Sequence, residues 1–398
     1  MSQNTVQARS AIEALRSGVP SRFAVLKLGT NQSAIEERFR TALDTVEAGG
    51  ATEPIVIASD FGTGKTHLLE YLQVTAEDRG FVTAYLVVSP ALRLGDPRNT
   101  LKAIAENALA PKRTGKALRE LTTDRKTDTP EFARLRLWAR DNQLPQWLQA
   151  VVHLYEETSQ DTEFRTRLLR DIEGIPLSTG DLKKRLKDIG QAGAYDLKGT
   201  KHSQIAHDRI LLLAQFFRML TMRGLVVLFD ELERLTSFPR KARLQAYSEL
   251  AWWNEVAATP GSGILPVFTM TTPFLKNTVK PDTKVLPRRA TESQGAGILK
   301  NALNIARLSQ EDLSAVKEKV RTLYADAYGT LPMDQEGQTE TFARQIRMSI
   351  RKWITIWDLQ RYEPTYQPHI VSEALPEDTT TLSFDELGDV DDSDTEEE

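Results

Sequence analysis

The sequence predicts an α/β fold: a parallel sheet flanked by helices, with a long helical insertion and a C-terminal helical lid. Three observations predict it. Residues 82–88, 225–229 and 267–270 are continuous apolar runs of strand length, as strands buried on both faces require. Helical stretches separate these runs, and strand–helix alternation specifies parallel strands joined by crossovers. A further apolar run, 54–58, leads through a glycine-rich turn into a helix starting near His67.

The elements follow in order. Residues 1–50 read as helical: 6–17, a break at Gly18-Val19-Pro20, then 33–47 with Ser33 as N-cap ahead of Glu36 and Glu37. Gly49-Gly50 ends that helix. Residues 51–110 hold the first part of the sheet core, with strand 54–58 and helix 67–72. Residues 111–205 form the insertion, read over 111–203 as polar helices broken by Gly and Pro. They carry 18 Lys/Arg against 14 Asp/Glu with thinly scattered aromatics, which fits a solvated helical insertion better than a nucleic-acid surface. Residues 206–308 return to the sheet; Pro266 fits only at the start of its strand or on an edge, and 304–308 is a short last strand. Residues 309–372 form the lid, with helices 311–328 and 339–359. In the second, Ile346, Ile350, Trp353 and Trp357 share one face and Arg344, Arg347 and Arg351 the other, so the two tryptophans read as lid core.

Composition bounds the function. The chain has 398 residues, 40% hydrophobic and 27% charged, which is globular. No apolar run approaches ~18 residues and no signal-peptide pattern opens the chain, so a cytoplasmic protein without a membrane span is expected. Cysteine is absent and the five histidines lack metal-ligand spacing, which excludes disulfides and thiolate metal sites. The net charge of −4 conceals an asymmetry. Residues 373–398 contain twelve acids and no base, so residues 1–372 alone carry +8. That tail is low in complexity and is expected to be disordered.

The chemistry lies in two motifs. Ser59, Asp60, Phe61, Gly62, Thr63, Gly64, Lys65 and Thr66 form the turn after the first strand, with His67 opening the helix. Glycines let backbone N–H groups approach an anion, and the helix N-terminus adds its dipole. In such a cradle for ATP, Lys65 is placed to neutralise the β- and γ-phosphates and Thr66 to ligate Mg²⁺. Ser59 stands where the usual first glycine would be, which alters the turn leaving the strand but not the N–H groups nearest the phosphates. Residues 225–231 (LVVLFDE) deliver Asp230 to the end of another strand, where it is placed to hold the metal. Glu231 follows it and suits a general base that orients an attacking water, or else a capping acid. Glu233 and Arg234 are expected to make local pairs.

Other positions keep two readings. Thr271 and Thr272 end a strand; Thr272 is either a sensor of the γ-phosphate or a strand-terminal threonine. Arg288 and Arg289 are either solvated or supply an arginine finger to a neighbouring subunit. Arg347 reaches the γ-phosphate from the lid, or simply faces solvent.

Together these features resemble the BREX-system ATP-binding protein BrxD family, AAA+/origin-recognition-like P-loop ATPases of the ASCE type. The resemblance rests on residues 8–22 (ARSAIEALRSGVPSR), 59–72 (SDFGTGKTHLLEYL), 225–235 (LVVLFDELERL) and 306–329 (ARLSQEDLSAVKEKVRTLYADAYG). It implies a P-loop NTPase fold, ATP and Mg²⁺ as ligands, and a role in phage defence beside other defence-system proteins, with DNA reached directly or through partners and oligomerisation compatible. Three functions follow as alternatives: an ATPase that remodels or gates a defence complex on DNA, a nucleotide-dependent switch or scaffold with little turnover, and a DNA-binding loader of the origin-recognition type.

Overall fold

The computed structural model describes residues 3–19, 21–60, 62–123, 130–158, 160–199, 201–202, 204–220, 222–333, 346–363 and 366. Six strands form one sheet: β1 (Ile55–Ser59), β2 (Val82–Val87), β3 (Ala108–Leu109), β4 (Leu225–Asp230), β5 (Ile264–Thr271) and β6 (Leu303–Asn304). Their order is β3-β2-β4-β5-β1-β6. All neighbours pair in parallel except β3, which runs antiparallel to β2. The fold is therefore mixed α/β with a mostly parallel sheet.

The period-two alternation of strand side chains feeds two cores. Ile55, Ile57, Val226, Leu228, Leu265 and Val267 face one layer. There they meet α3 (Ser33–Glu47) and α4 (Lys65–Asp78) through Phe39, Leu43, Leu69 and Leu72. Val56, Ala58, Val227, Phe229 and Phe268 face the other layer. That layer holds α5 (Pro97–Asn107), α11 (Ala206–Met219) and α12 (Arg240–Ala257). It also holds the helices of the insertion: α6 (Ala117–Thr122), α7 (Pro130–Asp141), α8 (Gln146–Glu157), α9 (Thr162–Ile172) and α10 (Thr179–Asp188).

The insertion corrects the expectation of solvated polar helices. Leu148, Val151, Val152 and Tyr155 of α8 recur at helical spacing and are buried, and Phe164, Leu168 and Leu182 join them in the core that also packs on the sheet. The charged outer faces of α9 and α10 dilute the composition and hide that stripe in a simple reading of residue content.

The chain's ends build a third core. Helices α1 (Gln3–Ser17) and α2 (Arg22–Leu28) pack Ile12, Ala24 and Leu28 against α16 (Gln310–Tyr328) and α17 (Ile346–Tyr362). Trp353 and Trp357 lie buried in it, as the amphipathic pattern predicts. Ser309 and Asp312 close a capping box at the start of α16. Between β5 and β6 run three short helices, α13 (Thr272–Phe274), α14 (Lys280–Val285) and α15 (Thr291–Ile298).

Other expectations need correction. Helix α2 fills part of the stretch after the predicted break. Gln32, not Ser33, occupies the N-cap of α3, and it makes no side-chain cap bond. Its amide instead clasps Ala306, accepting from its N–H at 2.7 Å and donating to its C=O at 3.1 Å, so a tertiary pin replaces the local cap. Pro266 lies inside β5, a central strand. It is tolerated there because β1 joins β5 only from Val267 onward, leaving Pro266 with a neighbour on one side. The last strand is two residues, Leu303–Asn304, rather than 304–308. The predicted start of the last helix at 339, Arg344 and the tail 373–398 lie outside the described residues.

Candidate nucleotide site

The site begins at the C-terminal edge of β1. Ser59 is its last residue, buried and in register with Thr271 of β5. The turn that follows is tied to itself: the Ser59 hydroxyl donates to the Asp60 carbonyl at 3.2 Å and the Thr63 hydroxyl donates to it at 2.9 Å. Asp60 also meets Arg307 at 3.3 Å. Phe61 lies outside the described residues. Gly62 and Gly64 have φ of 75° and 100°, which a residue with a Cβ rarely adopts. At Gly64 an added Cβ would meet nothing within 4 Å, so open space lies beside this point of the turn. Lys65 then starts the 14-residue α4, and the first N–H groups of a helix have no partner within it.

One strand, β5, separates β1 from β4, and this brings the second motif alongside. Asp230 ends β4, buried and firmly held. Its Oδ2 accepts from the Tyr85 hydroxyl at 2.5 Å, and its Oδ1 accepts from the Thr269 hydroxyl at 2.5 Å and the Glu231 N–H at 2.9 Å. Burial, with Asp230 adding, pushes the Tyr85 hydroxyl far above its ordinary range, so it stays a donor. Glu231 is 37% exposed in its side chain, holds φ 62° and ion-pairs with Arg234. The 3-10 turn Leu232–Ser237 follows.

Glu233, on that turn, departs from the local pairing expected of it. Its Oε1 lies 3.7 Å from Lys65 Nζ, and the two side chains are only 16% and 11% exposed. Burial pushes the Glu233 carboxyl above its usual range, with Asp230 and Glu231 adding and Lys65 opposing. Its Oε2 is buried without a hydrogen-bond partner among the described residues. Three carboxylates and one lysine thus converge where two strands end. The expected pair of Arg234 is found, with Glu231.

A cavity opens beside the loop. Gly62, Thr63, Gly64, Thr66 and His67 line it on one side. Gly18, the Leu28–Gln32 stretch, Leu308 and Arg347 line it from the two ends of the chain. His67 Nε2 donates to the Gly29 carbonyl at 2.8 Å; burial lowers the ring's pKa and keeps it neutral. Arg347 is exposed, and its aliphatic stem lies over Gly18, where a Cβ would stand 3.2 Å from Arg347 Cδ. Arg347 and the loop therefore share one cavity. Thr272 sits just past the Ser59–Thr271 pair as the first residue of α13, half-buried and away from that cavity lining. The Thr271 hydroxyl accepts from Phe274 N–H and caps this turn. Arg288 and Arg289 are exposed.

The family model for BREX system ATP-binding protein BrxC/D matches residues 4–124 and 136–356. The chain belongs to this family. It is accordingly an ATP-binding protein of the BREX system. No curated protein and no solved structure was found to match the chain. Among the described residues no helix is long and apolar enough to cross a membrane.

Sequence reasoning missed Tyr85, Thr269 and Glu233. The first two are polar residues inside apolar strands, and strand parity offers a signal. Tyr85 faces Leu228 and Val87 faces Asp230 in the β2–β4 register, so Tyr85 and Asp230 share a face. The stretch Leu28–Gln32 carried no signal, because only tertiary packing brings it to the loop.

Proposed function

We propose that this protein is a Mg²⁺-dependent ATPase with a P-loop NTPase fold that remodels or gates a DNA-associated defence complex. One observation carries the reading: Lys65, at the end of a glycine turn, meets the acidic turn directly following Asp230, 3.7 Å from Glu233. Support comes from a lysine and a carboxylate that reach each other from the ends of two different strands, where an isolated glycine turn would stand alone.

The residues fit a magnesium ion. Mg²⁺ takes few protein ligands, one or two carboxylates or hydroxyls, and completes its shell with water and phosphate oxygen. The Thr66 hydroxyl and the Asp230 carboxylate would hold it, and Tyr85 and Thr269 keep that carboxylate in a fixed orientation. Once bound, the ion neutralises charge that develops on the transferring phosphoryl group. The N–H groups at Gly62 and Gly64 and the start of α4 cradle the phosphates, and Lys65 binds their outer oxygens. Glu231 accepts the proton of the attacking water. His67, Arg347 and Thr272 serve binding: His67 by fixing the Gly29 turn over the cavity, Arg347 from the lid and Thr272 from the start of α13, just past β5.

Two substitutions test this. Lys65→Ala abolishes ATP binding, read by fluorescent-nucleotide titration. Glu231→Gln keeps binding and cuts turnover by about 10²–10⁴-fold. Hydrolysis by Glu231→Gln at the wild-type rate would remove Glu231 as the base.

The Arg234–Glu231 ion pair favours a second reading, a nucleotide-dependent switch with little turnover alone. A base held by an arginine is not available to water. Steady-state hydrolysis by the isolated chain separates the two, since fast turnover excludes the switch.

A further inference from the structure

Both groups that the ATPase reading needs are occupied by the same short turn. Lys65 is held by Glu233 at 3.7 Å, and Glu231 by Arg234. Glu233 and Arg234 are adjacent in sequence within Leu232–Ser237. We propose that this turn is a nucleotide-operated exchange switch in which Arg234 trades Glu231 for Glu233 when phosphate claims Lys65. The proposal rests on the nucleotide reading above and names how that site is regulated.

The charges drive the exchange. A triphosphate arriving at Lys65 puts several negative oxygens where Glu233 now lies, and like charges at contact distance repel strongly in a water-poor site. Glu233 is poorly anchored against that push. Beyond a hydrogen bond from its own backbone N–H, its carboxylate meets the lysine only at a distance longer than a hydrogen bond, and its Oε2 has no hydrogen-bond partner among the described residues. It must move toward a cation, and Arg234, which already feels its charge, is the one on its own turn. Arg234 is 52% exposed, so little packing opposes its swing.

Glu231 is then released. Its φ of 62° is the left-handed region, which a residue with a Cβ occupies only when its surroundings impose it. Asp230 does not share this freedom, because three hydrogen bonds hold its carboxylate. The turn can therefore rearrange while the metal-side acid stays still. Without nucleotide the base is masked; with nucleotide it is free.

The test separates binding from turnover in the full chain with Mg²⁺-ATP. Glu233→Gln removes the carboxylate that competes with phosphate for Lys65 but denies Arg234 its new partner. It is expected to bind ATP about threefold to tenfold more tightly and to hydrolyse it more slowly than wild type. Arg234→Ala leaves Glu231 unmasked but denies Glu233 its new partner, so it is expected to bind ATP about threefold to tenfold more weakly while turnover at saturating ATP stays at or above the wild-type value. A purely structural turn would move neither quantity in these opposite ways. Unchanged or weaker ATP binding by a folded Glu233→Gln protein overturns the exchange, as does slower turnover by Arg234→Ala. Should Glu233→Gln fail to fold by circular dichroism, Arg234→Ala alone decides. Failure of the wild-type chain to bind ATP sinks the nucleotide reading instead, a separate result.

Discussion

Two ion pairs in this molecule, one fully buried and one half-buried, are built in opposite ways. Where the insertion packs on α11, Arg209 and Asp171 are 1% and 0% exposed and meet at 2.9 Å. Asp171 also accepts from the Trp147 indole at 3.0 Å and the Leu177 N–H at 2.8 Å, while Arg209 Nε donates to the Asp171 carbonyl at 2.8 Å. Nearly every lone pair and donor is answered. At the loop, Lys65 and Glu233 stand 3.7 Å apart and one carboxylate oxygen is unanswered. A buried charge pair repays its desolvation only when its remaining valences are satisfied. The first pair meets that condition and ties α9 to α11; the second does not. Saturation goes with a fixed scaffold, and its absence with a site whose cation must change partners.

The comparison breaks most sharply at the saturated pair. Arg209→Ala leaves Asp171 buried without its counter-charge, which costs about 3–5 kcal/mol. Tm should fall by many degrees, and ATP affinity of the folded protein should stay at the wild-type value. If instead affinity drops while Tm holds, the insertion is not the passive half of the contrast.

A smaller effect belongs to the acid that stays still. Tyr85→Phe removes the 2.5 Å donor from Asp230 Oδ2 while keeping the ring. On the proposed role of Asp230 as a magnesium ligand, removing such an outer-shell partner costs about 10–100-fold in metal affinity. Magnesium dependence of ATP binding should shift to higher concentration by that factor, with the fold intact. An unchanged magnesium midpoint would mean that Thr269 and the Glu231 N–H suffice to aim the carboxylate.

Much of this architecture was legible in the residues. Runs of apolar side chains mark β1, β2, β4 and β5 because strands buried on both faces leave no room for polar alternation. Gly62, Gly64 and Lys65 mark the loop because backbone conformation and charge are local properties. What escaped is tertiary. Glu233 looks like any acid on a turn until β4 and β1 lie one strand apart, and only then does Lys65 become its neighbour. The joining of α1 and α2 to α16 and α17 depends on packing between residues more than 300 positions apart, such as Arg9 and Ala327. The core of the insertion escaped for another reason: charged outer faces outweigh the buried stripe when residues are merely counted.

The smallest expected effect tests the loose pair through protons. Burial raises the Glu233 carboxyl above 4.5, its value in an unfolded chain. Between 4.5 and the raised value, the folded protein keeps a proton that the unfolded chain has lost. Stability therefore falls as pH rises through that window, and the penalty persists above it. Glu233→Gln carries no titrating proton there, so its stability should decline less over the same range. Denaturant unfolding at a series of pH values from 4 upward would reveal this as a gap that opens with pH in the variant's favour. Parallel curves would mean that Lys65 compensates Glu233 fully, making the loop pair as settled as Arg209 and Asp171.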